Sequence, residues 1–273
     1  MVVRALSWNL FHGRDHPPDP ALSTWRSRLL RVTETDDTHA QVNRPLLDEF
    51  AQAIAAQEWQ VALLQEAPPR WLRPLARAAG GGAACALTSR NFAPSLRAAL
   101  ARLNPDLIAS NEGGSNQLLV RPPWRIADVL RLTLTRRPER RAMLYATLEG
   151  PGGRRLAVAN LHASAGLPEA AEREVLAAAE TALDLAGDVP LLFGGDLNLR
   201  PDRSPHAFEQ LAQRCGFDVQ ADGKGIDHLL AHGLDVVEPA HALPPDAREV
   251  PGPRGRLLRL SDHPIVVASV GVP

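Results

Sequence analysis

Apolar residues come in short runs along this chain, and the runs border polar groups of a restricted kind. Val2-Val3-Arg4-Ala5-Leu6-Ser7-Trp8 ends at Asn9, and Val61-Ala62-Leu63-Leu64 ends at Gln65-Glu66. Leu156-Ala157-Val158-Ala159 leads to Asn160 and His162, and Val189-Pro190-Leu191-Leu192-Phe193 leads through Gly194-Gly195 to Asp196 and Asn198. Ser261-Asp262-His263 opens the last run, Pro264-Ile265-Val266-Val267-Ala268. Short apolar runs bounded by turn residues read as buried strands. A fold that gathers strand ends into one cleft brings these amides, carboxylates and imidazoles together.

The pattern predicts strands over 2–8, 60–64, 84–88, 117–120, 125–134, 142–149, 154–161, 189–194, 227–231, 234–238 and 263–270. Pro151-Gly152-Gly153 turns 142–149 into 154–161 as a hairpin. Helical spacing of Leu46, Leu47, Phe50 and Ile54 predicts a helix over 44–57. Further helices are expected over 68–79, stopped by Gly80-Gly81-Gly82, over 94–103 and near 205–214. A helix over 168–186 has Pro168 in its first turn and Gly187 beyond its end. Residues 13–43 are polar and irregular and follow Asn9 directly, as a substrate-facing loop would. Strands occur both in adjacent pairs and separated by helices, which predicts an α/β protein of two mixed sheets packed face to face with helices outside.

The chain has 273 residues, 45% of them hydrophobic, enough for one large domain spanning 1–273. Its net charge of -1 gives no overall field toward polyanions, so any attraction is local. Lys224 is the lone lysine, and the other basic residues are arginines, the better bidentate partner for phosphate. Cys85 and Cys215 have no metal-type spacing, as expected of a reduced, cytoplasmic protein. Asn9 stands too near Met1 for a signal peptide, and no apolar run reaches the roughly 18 residues of a membrane span. No membrane and no obligate protein partner are expected.

Carboxylates beside apolar strands are costly unless paired or metal-bound. Glu66 and Asp262 with the amide of Asn9 suit a hard cation, Mg²⁺ or Mn²⁺, better than Zn²⁺; each also reads as a loop cap. Asp196 and Asn198, two apart in an extended segment, share a direction and offer an acceptor for water beside a donor for a phosphoryl oxygen. His162 and His263 are candidate donors or bases, and Asp227 is placed to orient one of them. His12, His16, His39, His206, His228, His232 and His241 read as structural. Asn116 either caps a turn or reaches the site.

Together these blocks resemble the endonuclease/exonuclease/phosphatase superfamily. The blocks are Ser7-Trp8-Asn9, Leu64-Gln65-Glu66, Asn160-Leu161-His162, Gly195-Asp196-Leu197-Asn198, Ile226-Asp227-His228 and Ser261-Asp262-His263, running from residue 7 to 263. The resemblance implies a four-layer α/β/β/α sandwich. It implies Glu66 as main metal ligand, helped by Asn9 and Asp262, and an Asp227–His263 pair. It also implies Asp196 acting on the attacking water, with Asn198 and His162 on phosphate oxygens and Asn116 supporting His162. Asn160 joins the expected phosphate contacts. The position after Asp227, often aromatic in that family, is His228, and Tyr145 is the one tyrosine.

The resemblance implies a phosphoesterase without naming its substrate. Residues 121–141 hold seven arginines (Arg121, Arg125, Arg131, Arg136, Arg137, Arg140, Arg141) against Asp128 and Glu139. Arg248, Arg254, Arg256 and Arg259 precede Asp262, and Arg256 and Arg259 are expected at the substrate. Such loops track a nucleic-acid backbone, clamp a polyphosphate head group, or are solvated surface. The sequence favours hydrolysis of nucleic-acid phosphodiesters. A small or lipid-borne phosphate ester, or a non-catalytic binding protein on the same fold, stands as the alternative. Trp71 and Trp124 either stack on bases or pack in the core.

Overall fold

The structure is a computed structural model that describes residues 1–88, 93–137, 139–219 and 224–273. Its strands are β1 (Val2–Asn9), β2 (Glu34–Thr35), β3 (Ala40–Gln41), β4 (Val61–Ala67), β5 (Gly82–Leu87), β6 (Ser115–Val120), β7 (Arg125–Thr135) and β8 (Arg141–Glu149). They continue with β9 (Arg155–His162), β10 (Leu191–Asp196), β11 (Asp227–His232), β12 (Asp235–Ala242), β13 (Glu249–Pro251), β14 (Leu257–Arg259) and β15 (Val266–Gly271). The helices are α1 (Trp25–Leu30), α2 (Leu47–Ala56), α3 (Leu72–Ala79), α4 (Pro94–Leu103), α5 (Pro105–Glu112), α6 (Pro168–Ala186) and α7 (Pro205–Gln213).

A six-stranded sheet runs β12-β15-β1-β4-β6-β5 and a five-stranded sheet runs β11-β10-β9-β8-β7. Each is mixed: β1 and β4 pair parallel in one, β9 and β10 in the other, and both sheets have antiparallel neighbours besides. Three apolar layers separate four layers of structure. Val3, Leu63, Val158 and Leu192 fill the space between the sheets. Trp8, Phe50 and Trp71 lie under α2 and α3, and Ala178, Phe193 and Phe208 lie under α6 and α7. The expected α/β/β/α sandwich is what forms, and Trp71 and Trp124 are both core residues.

Strand alternation decides which side chains meet between the sheets. In β1, Val3 and Ala5 face the opposite sheet while Leu6 and Trp8 face the helices. The same alternation turns Ser7 and Asn9 inward. In β9, Leu156 and Val158 are inward, and therefore so are Asn160 and His162. Leu192 sets the phase of β10 and directs Asp196 inward; Leu229 sets that of β11 and directs Asp227 inward. Asp227 starts a strand antiparallel to β10 and pairs in register with Asp196, so both stand at the same edge.

Asn160 corrects one expectation. It lies on the same face as His162 but two residues deeper, fully buried between the sheets. Its amide donates to Leu64 O at 3.1 Å and Gln117 O at 2.8 Å, and its oxygen accepts from Gln65 Nε2 at 2.8 Å. Every strong valence is spent on protein, so Asn160 pins the two sheets together and does not reach a phosphate.

Residues 13–43 are more ordered than their polarity suggests. They hold α1, a 3₁₀ turn at Pro20–Leu22 and the β2–β3 pair. Thr24 caps α1 by accepting from Ser27 N at 3.0 Å, and Asn43 donates to Ser27 O and Arg28 O, each at 3.0 Å. The sequence reading also passed over α5, whose cues are a capping Asn104 and Pro105 at the first helical position. The last strand begins at Val266, later than expected, which leaves Asp262 and His263 on a loop. No helix among the described residues is long and apolar enough to cross a membrane.

Asp15 fastens this segment by accepting from Val42 N at 2.9 Å, and its other oxygen is buried without a partner. Burial, reinforced by nearby Asp106, pushes its carboxyl up to about 8, against the pull of the Val42 N–H and Arg44. The folded state therefore holds a proton that the unfolded chain releases near pH 4. The contribution of Asp15 to stability should be full below about pH 4 and be lost as pH rises toward 8. Urea melts across that range should show the fall in wild type and a weaker one in Asp15→Asn. Asn160→Ala should cost about 3 kcal/mol in the same melts, because it removes three buried hydrogen bonds between the sheets, to Leu64 O, Gln117 O and Gln65 Nε2.

Candidate active site

Each side chain of the cleft is set there by a local backbone device. Asp196 ends β10 after two glycines. A side chain on Gly195, whose φ is +126°, would begin 2.0 Å from Leu161 O, so only glycine lets β9 and β10 close up beside the carboxyl. Asn198, in the left-handed region, turns the chain back so that its own N–H donates to Asp196 Oδ1 at 3.1 Å. The Asn198 amide donates to Ala163 O at 3.0 Å, which leaves its second hydrogen for another acceptor. Glu174 of α6 accepts from Ser164 N and Oγ at 2.8 and 3.0 Å and secures the loop after His162.

Glu66 depends on a bulge. Leu64 pairs with Gln117 and Ala67 with Ser115, so β4 carries one residue more than β6 over this stretch. The extra position holds Glu66 at φ 46°. Ala62, Leu64 and Ala67 all face the helices, so alternation breaks at Glu66 and its carboxyl is freed from the layer beneath the helices.

Asp196 lies at the centre and is 2% exposed. Asn9 Nδ2 donates to its Oδ2 at 2.9 Å, and Asn9 Oδ1 in turn accepts from Phe11 N at 3.0 Å. His162 Nε2 stands 3.6 Å from Asp196 Oδ2 and 3.7 Å from Glu66 Oε1. His263 Nε2 stands 3.8 Å from Asp196 Oδ2 and 3.9 Å from Asp262 Oδ1, while its Nδ1–H donates to Asp227 Oδ2 at 2.8 Å. Asp196, Asp227 and His263 thus offer polar atoms within 4.8 Å of one another.

Burial and neighbouring charge separate the proton affinities of these groups. His162 is pushed down to about 3, chiefly by burial, and is unprotonated at neutral pH. For His263 burial works downward, but the bond and charge of Asp227, with Asp196 and Asp262, carry it up to about 10. It is an imidazolium at neutral pH. The Asp196 carboxyl is raised by burial and then by Asp227, against the pull of His263 and Asn9. In Glu66, burial is outweighed by His12, His162, His263 and the Asn9 bond, which hold it low.

The cleft therefore gathers Asn9, Glu66, His162, Asp196, Asn198, Asp227, Asp262 and His263. Asn116 lies between the sheets nearby, donating to Ala142 O at 2.8 Å, with its buried oxygen unpartnered. Arg256 is half-buried in the turn before β14. Arg259 departs from expectation: it is paired to Glu249 at 2.6 Å across the β13–β14 hairpin. His12 departs in the other direction. It is not structural filler but lies with Nε2 3.1 Å from Glu66 Oε2, held at φ 54° in the turn after Asn9. Arg14 was also passed over; its guanidinium stacks 3.8 Å over Phe11 and interacts with the Glu66 and Asp262 charges. His228 is structural as expected, bonded to Leu199 O at 2.9 Å and packed on Phe208.

Known structures share this architecture. An endonuclease/exonuclease/phosphatase family protein from Bacteroides thetaiotaomicron superposes with a TM-score of 0.63 at 15% identity, covering 99% of this chain and 97% of that one. The human Nocturnin catalytic domain gives 0.64 at 15% identity over 100% and 94% of the two chains. A mannosyl-6-phosphatase from Bacteroides thetaiotaomicron gives 0.63 at 15% identity over 98% and 99%. At such identities the likeness is one of fold. A search of curated protein sequences finds no match. The model of the Endonuclease/Exonuclease/phosphatase family matches residues 6–263, and the chain belongs to that family of metal-dependent phosphoester hydrolases.

Proposed function

We propose that this enzyme hydrolyses a compact phosphate ester, small-molecule or lipid-borne, by attack of water activated at Asp196 opposite a protonated His263. The observation that carries the reading is the pair of imidazoles within 3.8 Å of Asp196 Oδ2, one unprotonated and one held as imidazolium by Asp227 at 2.8 Å.

Glu66, with Asn9 and Asp262, would hold the divalent cation, Mg²⁺ or Mn²⁺. Four carboxyls converge while burial pushes the proton affinities of His12 and His162 down, and the crowding of negative charge contributes to the raised proton affinity of Asp196. That oxygen-rich set fits a hard cation. When bound, the cation polarises the phosphate and offsets charge that develops on it. Asp196, with its affinity raised toward the working range of a base, takes a proton from water. His263 donates its Nε2–H to a phosphoryl oxygen, and Asp227 fixes the ring and its tautomer. The second Asn198 hydrogen and His162 supply further contacts to phosphate oxygens.

The arginine positions favour the compact substrate over a long polyanion. Arg121 bonds Ala79 O and Gln57 O and stacks on Trp59, Arg125 pairs with Glu149, and Arg131 bonds Cys85 O. Arg140 bonds Thr88 O, Arg248 bonds Ser261 O, and Arg259 pairs with Glu249. Arginines tied to the protein's own carbonyls and carboxylates offer less of a track to a nucleic-acid backbone than free ones would. The mannosyl-6-phosphatase neighbour is a case of this fold serving a sugar phosphate.

Asp196→Asn and His263→Asn should each lower kcat by about 10²–10⁴-fold, with melting temperatures held or raised. Asp227→Asn should lower it by roughly 10³-fold through the misplaced tautomer. Chelation should abolish turnover, and Mg²⁺ or Mn²⁺ should restore it. A panel of sugar phosphates, glycerophosphodiesters and oligonucleotides tests the substrate. Salt-sensitive cleavage of oligonucleotides in preference to the others would reverse the substrate reading and leave the chemistry standing. Full activity in Asp196→Asn would defeat the chemistry itself.

A further inference from the structure

Large apolar side chains stand in water on two helices beside the cleft. Trp25, Leu29 and Leu30 of α1 are 65%, 56% and 62% exposed, and Leu96 and Leu103 of α4 are each 62% exposed. Leu96, Leu100 and Leu103 recur at three- and four-residue spacing, so they line one side of α4.

The two helices are bolted to each other. Asn104, where α4 meets α5, donates to Arg28 O at 2.8 Å. Asn43 donates to Ser27 O and Arg28 O, each at 3.0 Å, and to Asn104 Oδ1 at 2.7 Å. Leu29 and Leu103 therefore flank one joint. From that joint α5 leads to the cleft: it packs on the Phe11–Gly13 turn, and its Asp106 interacts with Arg14, which in turn interacts with Glu66 and Asp262.

Charge identifies what covers this face. Residues 24–33 and 93–105 contain Arg26, Arg28, Arg31, Arg97 and Arg102 and no aspartate or glutamate. The acidic residues that directly follow the two segments are engaged within the protein: Glu34 accepts from Thr24 Oγ1 at 2.9 Å, and half-buried Asp106 accepts from Gln41 at 2.8 Å. Single exposed leucines are ordinary on a protein surface, but grouped leucines with tryptophan and arginine are not. A second copy of this chain would set arginines against arginines. A nucleic acid would meet the arginines and leave the leucines wet. An anionic bilayer meets both: acyl chains take Trp25 and the leucines, and headgroup phosphates take the guanidiniums.

We propose that α1 and α4 form a docking surface for an anionic phospholipid bilayer and set the mouth of the cleft against the headgroups. This concerns a surface and does not depend on the chemistry assigned to the cleft. It also reverses the expectation of no membrane, which addressed segments that cross a bilayer and not helices that lie on one.

Trp25 is a built-in reporter, because Trp8, Trp59, Trp71 and Trp124 are all buried. The full chain should float with phosphatidylglycerol vesicles and not with phosphatidylcholine vesicles, with binding weakened by salt. Trp25 emission should shift to the blue and gain protection from acrylamide on the anionic vesicles alone. The double change Leu96→Glu and Leu103→Glu should weaken vesicle binding at least tenfold, with the melting temperature unchanged. Vesicle binding that survives the double change overturns the assignment to these helices. Absence of flotation with phosphatidylglycerol overturns the proposal, as does protection of Trp25 that follows protein concentration without lipid, the mark of a second copy.

Discussion

A carboxyl buried where two sheets meet has to be held from both of them. Asp196 belongs to the five-stranded sheet, yet the donor on its Oδ2 is Asn9 from the six-stranded sheet, at 2.9 Å. Nearly every device in the cleft serves that carboxyl. Glycine at 195 lets the neighbouring strand close in, the turn at Asn198 supplies a backbone donor, and two imidazoles stand within 3.8 Å of Oδ2. An ionised group in such a place is costly without partners. Here burial and the Asp227 charge raise its proton affinity, while Asn9 and His263 pull the other way and leave it able to ionise, which is the condition a base near neutral pH must meet.

The alternation of apolar and polar residues made much of this legible before any coordinates. A period of two, phased by residues such as Val3, Val158, Leu192 and Leu229, dictates that Asn9, His162, Asp196 and Asp227 point between the sheets. What alternation cannot give is depth. Asn160 shares its face with His162, and only the stacking of the second sheet decides that one is sealed and the other reaches the opening. Irregular segments carry no phase at all. His12 in the turn after Asn9 has the same sequence signature as any lone surface histidine, so nothing but the folded path shows it against Glu66. The helix at Pro105–Glu112 was missed for a different reason: its Asn104-Pro105 start is a clear cap, but the apolar positions that follow are few. Arg259 reads as a free cation in the chain because its partner Glu249 lies across a hairpin that the pattern does not announce.

Positive charge is divided between two tasks. On the sheet edges and the β13–β14 hairpin, arginines close backbone carbonyls and carboxylates of the protein itself. On and beside α1 and α4 arginines sit among exposed leucines with no acidic residue in either helix, and Arg31 also donates to Asn43 O at 3.1 Å. The near-neutral total hides this division. A guanidinium spent on a carbonyl adds rigidity near the cleft, while one set among leucines adds an outward field where the apolar surface lies.

The bulge at Glu66 has a consequence for how this architecture is inherited or borrowed. An inserted residue inverts the parity of a strand, so β4 presents Gln65 to the interior, Glu66 to the cleft and Ala67 to the helices. Loss of one residue there would restore regular pairing and rotate the acid out of the opening, though every amino acid of the cleft remained in the chain. Anyone transplanting this centre onto another sheet must copy an irregularity of the backbone as well as a set of side chains.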